Sequence, residues 1–181
     1  KLSKQKEKLH DYTNEFHISY LFDETKAQKD KMIERCTNYP QTKSLLVFSG
    51  PHFYVATPFY KTPNTICKLS SDYSIIDLSN VDDNYLPRSN YTPNKSTIIK
   101  LKGIPVVKWY NPNDFSTNQK LVTNHYRLAI RAMLNPTQER TLVSAIIPQD
   151  IVHINGVQTT VFKDEYLLVI MAAITSSIIG D

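Results

Sequence analysis

The hydrophobic and polar positions of the first 43 residues predict an N-terminal helical segment. Apolar side chains recur there at three- and four-residue steps among lysines and glutamates, which is the spacing of one stripe along a helix. These side chains belong to Leu9, Tyr12, Phe16 and Tyr20. Asp23 interrupts the stripe and can cap a second short helix, with Met32, Ile33 and Cys36 on its inner face. The segment either packs on residues 44–181 or bridges to a neighbouring domain, and packing is the simpler expectation.

From residue 44 the pattern changes to short apolar runs that are typical of strands. These runs cover residues 45–48, 53–56 and 73–78. Residues 59–62 lie between Pro58 and Pro63, and this position excludes them from a central strand because proline cannot donate to a sheet ladder. Residues 94–123 show the least regular pattern and are rich in lysine. We expect long loops in this part of the chain.

Asn124 can cap a helix, and a core strand is predicted after that helix. One face of the helix would carry Tyr126, Ala129, Ile130 and Met133. Pro136 prevents the helix from continuing. Residues 141–147 then form a short, β-branched apolar run closed by Pro148, which favours a strand. Glu139 and Arg140 would lie at the mouth of this strand, where they either meet a ligand or form a local ion pair.

The last third of the chain completes an α+β domain. Asn155 and Gly156 separate two apolar runs and predict a β-hairpin. Asp164 can cap a largely apolar helix over residues 165–179, which we expect to be buried. The predicted architecture is therefore α+β, with mixed strands, long loops, an N-terminal helical segment (residues 1–43) and a buried C-terminal helix in an α+β domain of residues 44–181.

Positive charge is concentrated in the middle of the sequence. The net charge is +4, yet residues 84–148 alone contain nine Lys or Arg against two Asp or Glu. Such a concentration indicates a polyanionic partner, and its alternative is a solvated basic loop. On the predicted helix after Asn124, Arg127 and Arg131 lie four residues apart and repel each other unless acids or phosphates lie opposite.

No catalytic or metal-binding set can be assembled from the residue types. The five histidines are scattered, and His153 in the predicted hairpin is more simply a structural residue. Cys36 and Cys67 show neither metal-ligand spacing nor a pairing pattern. Four glycines in 181 residues exclude a glycine-rich phosphate loop. Neither a signal peptide nor a transmembrane span is predicted, and we expect no membrane partner and a cytoplasmic location.

Four groups of residues, in order along the chain, resemble a known family. They are residues 57–63 (TPFYKTP), 83–91 (DNYLPRSNY), 126–133 (YRLAIRAM) and 135–148 (NPTQERTLVSAIIP), the last followed by 153–155 (HIN). Residues 45–181 thereby resemble the C-terminal part of large bacterial adenine-specific DNA methyltransferases. That family comprises type IIG-like restriction–modification enzymes and related phage-defence methyltransferases.

The resemblance implies a target-recognition domain that lies downstream of a methyltransferase domain in the same polypeptide. The family's Asn/Asp-Pro-Pro-Tyr/Phe catalytic motif and its cofactor glycine motif are absent, and Asn111-Pro112-Asn113 is no substitute. The fragment would then hold no cofactor, whereas the parent adenine-N6 methyltransferase, with or without endonuclease activity, would use S-adenosylmethionine. The missing initial methionine agrees with a piece of a longer polypeptide.

These observations lead to a hypothesis of double-stranded DNA recognition without an active site of its own. The DNA-binding residues would be Lys61, Arg88, Lys95, Lys100, Lys102, Arg127, Arg131 and Arg140. Arg140 would serve structure equally well by binding Glu139 or a buried carbonyl. Tyr85, Tyr91 and Trp109 would either flank the groove or pack in the core. The alternative is a protein-interaction or scaffolding domain that docks a methyltransferase or another defence subunit, and a stand-alone enzyme is the least supported class.

Overall fold

The computed structural model describes residues 9–53, 58–69, 71–110, 116–133 and 140–177. The α-helices are α1 (Glu24–Lys29), α2 (Lys95–Lys100) and α3 (Glu165–Thr175). The strands are β1 (Phe16–Ser19), β2 (Ile33–Asn38), β3 (Val47–Phe48), β4 (Lys61–Pro63), β5 (Tyr73–Ile75), β6 (Ser89–Pro93), β7 (Val106–Tyr110), β8 (Thr117–Leu121), β9 (Arg127–Arg131), β10 (Ser144–Ile147), β11 (Val152–His153) and β12 (Val157–Phe162). The predicted α+β class is confirmed.

A four-stranded antiparallel sheet organises the molecule, with the strand order β1-β12-β9-β10. One face of the sheet packs against α3 through Leu128, Phe162 and Leu168. The opposite face carries Ala129 and Val157 into a second cluster with Phe48 and Phe53. Because both faces are covered, β9 is buried on both sides at its centre.

The remaining described strands form pairs around this sheet. They are the antiparallel pairs β2–β6, β4–β5 and β7–β8, and the parallel pair β3–β11. A third apolar cluster joins β2, β6, α1 and α2 through Ile33, Tyr91, Ala27 and Ile98. The N-terminal strands are therefore part of the same packed body as the C-terminal ones.

The N-terminal residues differ from the predicted helical stripe. Leu9–Tyr12 is a short 3-10 helix, whereas Phe16–Ser19 and Ile33–Asn38 are strands that pair with β12 and β6. A short helix capped by Asp23 is present, since Asp23 Oδ1 accepts a hydrogen bond from Lys26 N at 2.8 Å. The helix ends at Lys29, however, so Met32, Ile33 and Cys36 do not lie on it, and the last two belong to β2. Pairing with distant strands overrides the local helical spacing here.

The helix predicted after Asn124 is wrong, because Arg127–Arg131 is the strand β9. The strand predicted over residues 141–147 is present as Ser144–Ile147, although residues 134–139, with Glu139, lie outside the described residues. Residues 94–123 are more regular than expected, since they contain α2 and the β7–β8 pair.

The shorter strand predictions are met in part. Residues 45–48 begin in a 3-10 turn (Lys43–Leu45) and continue as β3, and residues 73–78 begin with β5. Phe53 ends the 3-10 helix Gly50–Phe53, and residues 54–56 lie outside the described residues. β4 pairs with β5 in a two-stranded sheet, as expected for a segment bracketed by prolines.

The predicted hairpin at Asn155-Gly156 is wrong in its pairing. The turn itself is present, and Gly156 adopts a φ of 96°. However, the strand before the turn, β11, pairs with β3, while the strand after it, β12, joins the four-stranded sheet. The chain therefore uses this turn to pass from one sheet to another.

Helix α3 is capped as predicted, since Asp164 Oδ1 accepts from Tyr166 N at 2.9 Å. It is not buried as a whole. Leu168 and Thr175 are buried, but Tyr166, Val169 and Ile174 are 70%, 58% and 47% exposed. Within the described ranges, none of the helices combines the length and apolar character needed to cross a membrane.

Candidate nucleic-acid interface

Helix α2 buries Ile98 and leaves its lysines exposed, together with Ile99. Asn94 caps the helix, accepting from Thr97 N at 3.2 Å through Oδ1. Ile98 is buried, whereas Lys95 and Lys100 are exposed. Lys102 follows the helix with a φ of 49°, the left-handed conformation that commonly ends a helix, and is also exposed. Three of the predicted DNA-binding residues are thus brought together on one short element.

Strands β7 and β8 form a two-stranded ribbon whose outer face is open to solvent. Cross-strand pairs on that face join Val106 to Leu121, Lys108 to Gln119 and Tyr110 to Thr117. All six residues are exposed. On the inner face, Val107 is buried and Trp109 is half-buried, and both pack in a cluster with Val122 and Val161. The ribbon is therefore anchored on one side only.

The ribbon and α2 adjoin each other. Val122 N, at the end of β8, donates a hydrogen bond to the carbonyl oxygen of Pro105, just before β7, at 2.9 Å. A cleft of about 440 Å³ lies between α2 and the base of the ribbon, lined by residues that include Lys95, Ile99 and Leu121. Lys95 lines this cleft, whereas Lys108 lines a separate cleft beside residues 13–17. We call the exposed lysines of these two elements the basic surface. Its members are Lys95, Lys100, Lys102, Lys108 and Lys120.

Carboxylates lie beside two lysines of the basic surface: Glu34 and Asp150 line clefts that contain Lys95, and Glu15 lines a cleft that contains Lys108. Residues 84–149 contain two acids, Asp114 and Glu139, and both lie outside the described residues. Asp150 lines the cleft and lies 3.9 Å from Lys43 Nζ. Lys95 Nζ donates to Ser44 Oγ at 2.8 Å. Among the described residues, no carboxylate forms an ion pair with a lysine of the basic surface.

Lys61 and Arg88 belong to a different part of the molecule, around β4. The Arg88 guanidinium lies 4.2 Å from the centre of the Tyr39 ring. Its Nη1 donates to the carbonyl oxygen of Pro63 at 3.1 Å and to Thr65 Oγ1 at 3.2 Å. Arg88 is half-buried in these contacts and holds the β4 segment in place.

Arg127 is not a surface residue, which corrects its predicted role. Its side chain is 0% exposed, and Nη2 donates to the carbonyl oxygen of Ile151. Nε and Nη1 have no hydrogen-bond partner among the described residues. Burial lowers the pKa of Arg127 to about 10. A guanidinium enclosed in this way cannot reach a phosphate of a double helix.

Arg140 and Arg131 are held by the fold to different degrees. Arg140 Nη1 donates to the carbonyl oxygen of Ser176 at 2.7 Å, and Nη2 donates to that of Ser177 at 3.0 Å. This is the carbonyl-binding alternative expected for Arg140, at the C-terminal end of α3. Arg131 is half-buried at the end of β9, opposite Val157.

The three aromatic candidates are buried or half-buried and pack against neighbouring residues. Tyr91 is 4% exposed, and its hydroxyl donates to the Glu24 carboxylate. Burial raises the pKa of Tyr91 to about 12. Tyr85 is half-buried beside Tyr39, with ring centres 6.5 Å apart. Trp109 is half-buried beneath the ribbon. These aromatics support the surrounding elements, as the core-packing alternative expects.

The histidines of the interior are structural. His153 is 0% exposed, and its Nε2 lies 3.1 Å from Thr159 Oγ1. Burial lowers its pKa to about 3 and also lowers that of His52. In the described part of the chain, no three His, Cys, Asp or Glu residues are grouped as metal ligands.

Sequence reasoning did not single out Gln119 and Lys120. Both lie on β8, whose five residues are all exposed. The alternation in residues 106–110, where valine and tryptophan alternate with more exposed positions, is the signal that could have located the ribbon.

No family model, no curated protein and no solved structure matches this chain.

Proposed function

We propose that this chain is a double-stranded DNA recognition domain that binds the duplex through its basic surface, with the lysines of α2 contacting phosphates. The observation that carries the proposal is the set of five exposed lysines on two adjoining elements, in a stretch with few acids. Phosphate contacts from lysine supply most of the sequence-independent affinity of such domains. The predicted contributions of Arg88, Arg127 and Arg140 are replaced by those of Lys108 and Lys120.

The wider setting of the proposal comes from the sequence resemblance. The chain would act beside the methyltransferase domain of a bacterial restriction–modification or phage-defence enzyme, and that domain would use S-adenosylmethionine to methylate adenine. The recognition domain contributes binding and orientation of the duplex. The basic surface is consistent with such a role, because binding of a duplex requires complementary charge and shape but no catalytic residues.

A salt titration tests DNA binding. The affinity of the 181-residue chain for a random-sequence duplex should fall with salt by about 0.9 in log K per log salt for each phosphate contact. The double variant Lys100→Gln/Lys102→Asn should reduce this slope by up to about 1.8. Asparagine at 102 tolerates the left-handed backbone found there.

The matched control is Lys29→Gln on α1, an exposed lysine outside the basic surface, which should leave the slope unchanged. Binding that does not depend on salt would exclude a phosphate-binding face. An equal effect of Lys29→Gln and of the double variant would show that net charge, and not the basic surface, attracts the DNA.

A protein-interaction or scaffolding role is the second candidate, and the outer face of α3 favours it. Tyr166, Val169 and Ile174 are exposed apolar residues on a helix that has no charged residue after Glu165. Apolar helix faces of this kind often contact another protein surface. Val169→Asp should abolish binding of a purified methyltransferase domain, measured by calorimetry, while the salt slope on DNA stays unchanged. Unaltered protein binding would contradict this role.

A further inference from the structure

The shape of the β7–β8 ribbon suits a groove of a double helix. Its two strands pair over five positions and join no other described strand. At about 3.3 Å per residue the ribbon is about 17 Å long, and its strands lie about 4.8 Å apart. The major groove of B-form DNA, about 12 Å wide, admits a two-stranded ribbon. The inner side is anchored by Val107, so the outer face is free to face a ligand.

The chemistry of the outer face matches base edges. Its central cross-strand pair is Lys108 and Gln119, both exposed. Lysine donates to O6 and N7 of guanine, and glutamine pairs with N6 and N7 of adenine, in the major groove. Val106 and Leu121 adjoin them at one end of the ribbon and can contact thymine methyl groups.

Charge complementarity selects DNA as the occupant of this face. No described residue of either strand is acidic, and Lys108 gives the outer face its positive charge, whereas Lys120, which is paired with Val107, belongs to the opposite face of the ribbon. Lys95 of α2 lines the cleft at the base of the ribbon, together with Leu121. A ribbon in the groove would therefore have lysines beside it at the level of the flanking phosphates. A protein partner would not require this arrangement.

We infer that the β7–β8 ribbon enters the major groove and that Lys108 and Gln119 read base edges there. The inference rests on the proposed function, since it names the part of the molecule that confers sequence specificity. The lysines of α2 then supply affinity for any duplex, while the ribbon distinguishes one sequence from another.

Selection of duplexes from a random-sequence pool by the 181-residue chain tests this assignment. The wild type should enrich a motif that contains guanine or adenine at the contacted positions. Lys108→Ala should reduce the preference for guanine over the other bases at one position of the motif by about 5- to 150-fold. Gln119→Ala should reduce the preference for adenine at another position by a similar factor. Lys108→Arg should retain the guanine preference, because arginine makes the same bidentate contact. Lys29→Ala is the control and should leave the motif intact.

Dimethyl sulfate, which methylates guanine N7, probes the groove directly. The bound chain should protect the guanine of the selected motif, and Lys108→Ala should remove that protection. Salt-dependent binding without a motif or N7 protection would overturn the ribbon assignment and leave the proposed function standing. A uniform loss of affinity in Lys108→Ala, with a slope lower by about 0.9, would make Lys108 a phosphate ligand and overturn base reading. Absence of duplex binding would overturn both proposals.

Discussion

Arg140 holds the C-terminal end of α3, with its Nη1 donating to the carbonyl oxygen of Ser176 at 2.7 Å. A second bond joins Nη2 to the carbonyl oxygen of Ser177 at 3.0 Å. The last carbonyls of a helix have no donors within the helix and carry partial negative charge, so a guanidinium is a favourable partner. Arg140, which precedes β10 in the chain, thus binds the end of the final helix.

Arg140→Ala should destabilise the fold. Loss of hydrogen bonds from a charged donor should lower the free energy of unfolding by about 1.5–3 kcal/mol, measured by urea denaturation. Arg140→Lys should be intermediate, because lysine keeps the charge but not the fork of donors. A variant that keeps its stability but loses salt dependence on DNA would show that Arg140 contacts phosphate instead.

Two substitutions of Arg127 should distinguish the effect of its buried charge on stability from the effect of its side-chain volume. Burial depresses its pKa from 12.5 to about 10, which corresponds to a cost on the order of 3 kcal/mol in the folded protein at neutral pH. Arg127→Met removes that cost together with the hydrogen bond to Ile151, and should unfold within about 2 kcal/mol of the wild type.

Arg127→Ala should instead lose about 2–5 kcal/mol, because the truncation leaves a cavity in the core. Thermal or urea unfolding of both variants measures the difference. Neither should alter the salt slope on DNA, and a lower slope in Arg127→Met would contradict the interior position of the guanidinium.

Acid should destabilise the protein through His153. Its folded-state pKa of about 3 lies below the unfolded value of 6.5, so the unfolded chain binds an additional proton between these values. Stability attributable to this residue is complete above pH 6.5 and is lost as the pH falls toward 3, at about 1.4 kcal/mol per pH unit. Between pH 7 and pH 4.5 the loss is about 3 kcal/mol.

His153→Gln should remove this part of the pH dependence and keep a polar partner for Thr159. Urea unfolding of both proteins at several pH values measures the difference between their slopes. Both proteins contain His52, whose pKa is also lowered by burial, so its contribution to the pH dependence is the same in each. Parallel stability curves would show that His153 is not the group responsible.

Gly156→Ala should destabilise the turn between the two sheets. Gly156 has a φ of 96°, which an L-residue adopts with strain, and a Cβ there would lie 3.3 Å from Gly50 N. The expected loss is about 1–3 kcal/mol in thermal unfolding. Gly50→Ala is the matched control, since its Cβ would meet the carbonyl oxygen of Gly156 at an ordinary 3.8 Å. Equal losses in the two variants would contradict backbone strain as the cause.

Signals that act over a few residues predict this structure well. The caps Asp23 and Asp164 lie where the sequence placed them, and the Asn155-Gly156 turn is formed. Each of these depends on hydrogen bonds or dihedral angles of neighbouring residues, which a sequence displays directly.

Long-range pairing explains the errors. Leu128, Ala129 and Ile130 pack on alternating faces of a strand, but the apolar residues around them also fit a helical stripe. Residues 127–131 form a strand because they pair with β10 on one side and with β12 on the other. Arg127 misled the site prediction for a related reason, since an arginine in the sequence gives no sign of being enclosed. The lysines of α2 were singled out only by the local excess of positive charge, and the helix itself was not predicted, since residues 94–123 were expected to form long loops.

The position of β1 has a consequence for shortened forms of the protein. Phe16–Ser19 covers one edge of the four-stranded sheet by pairing with β12. A fragment that starts at Ser44 would leave the edge of β12 that faces β1, at Thr159–Phe162, without a partner strand, and unpaired edges of that kind attract strands from other molecules. Such a fragment would be expected to exchange strands or aggregate, and the first 43 residues would protect the sheet against self-association.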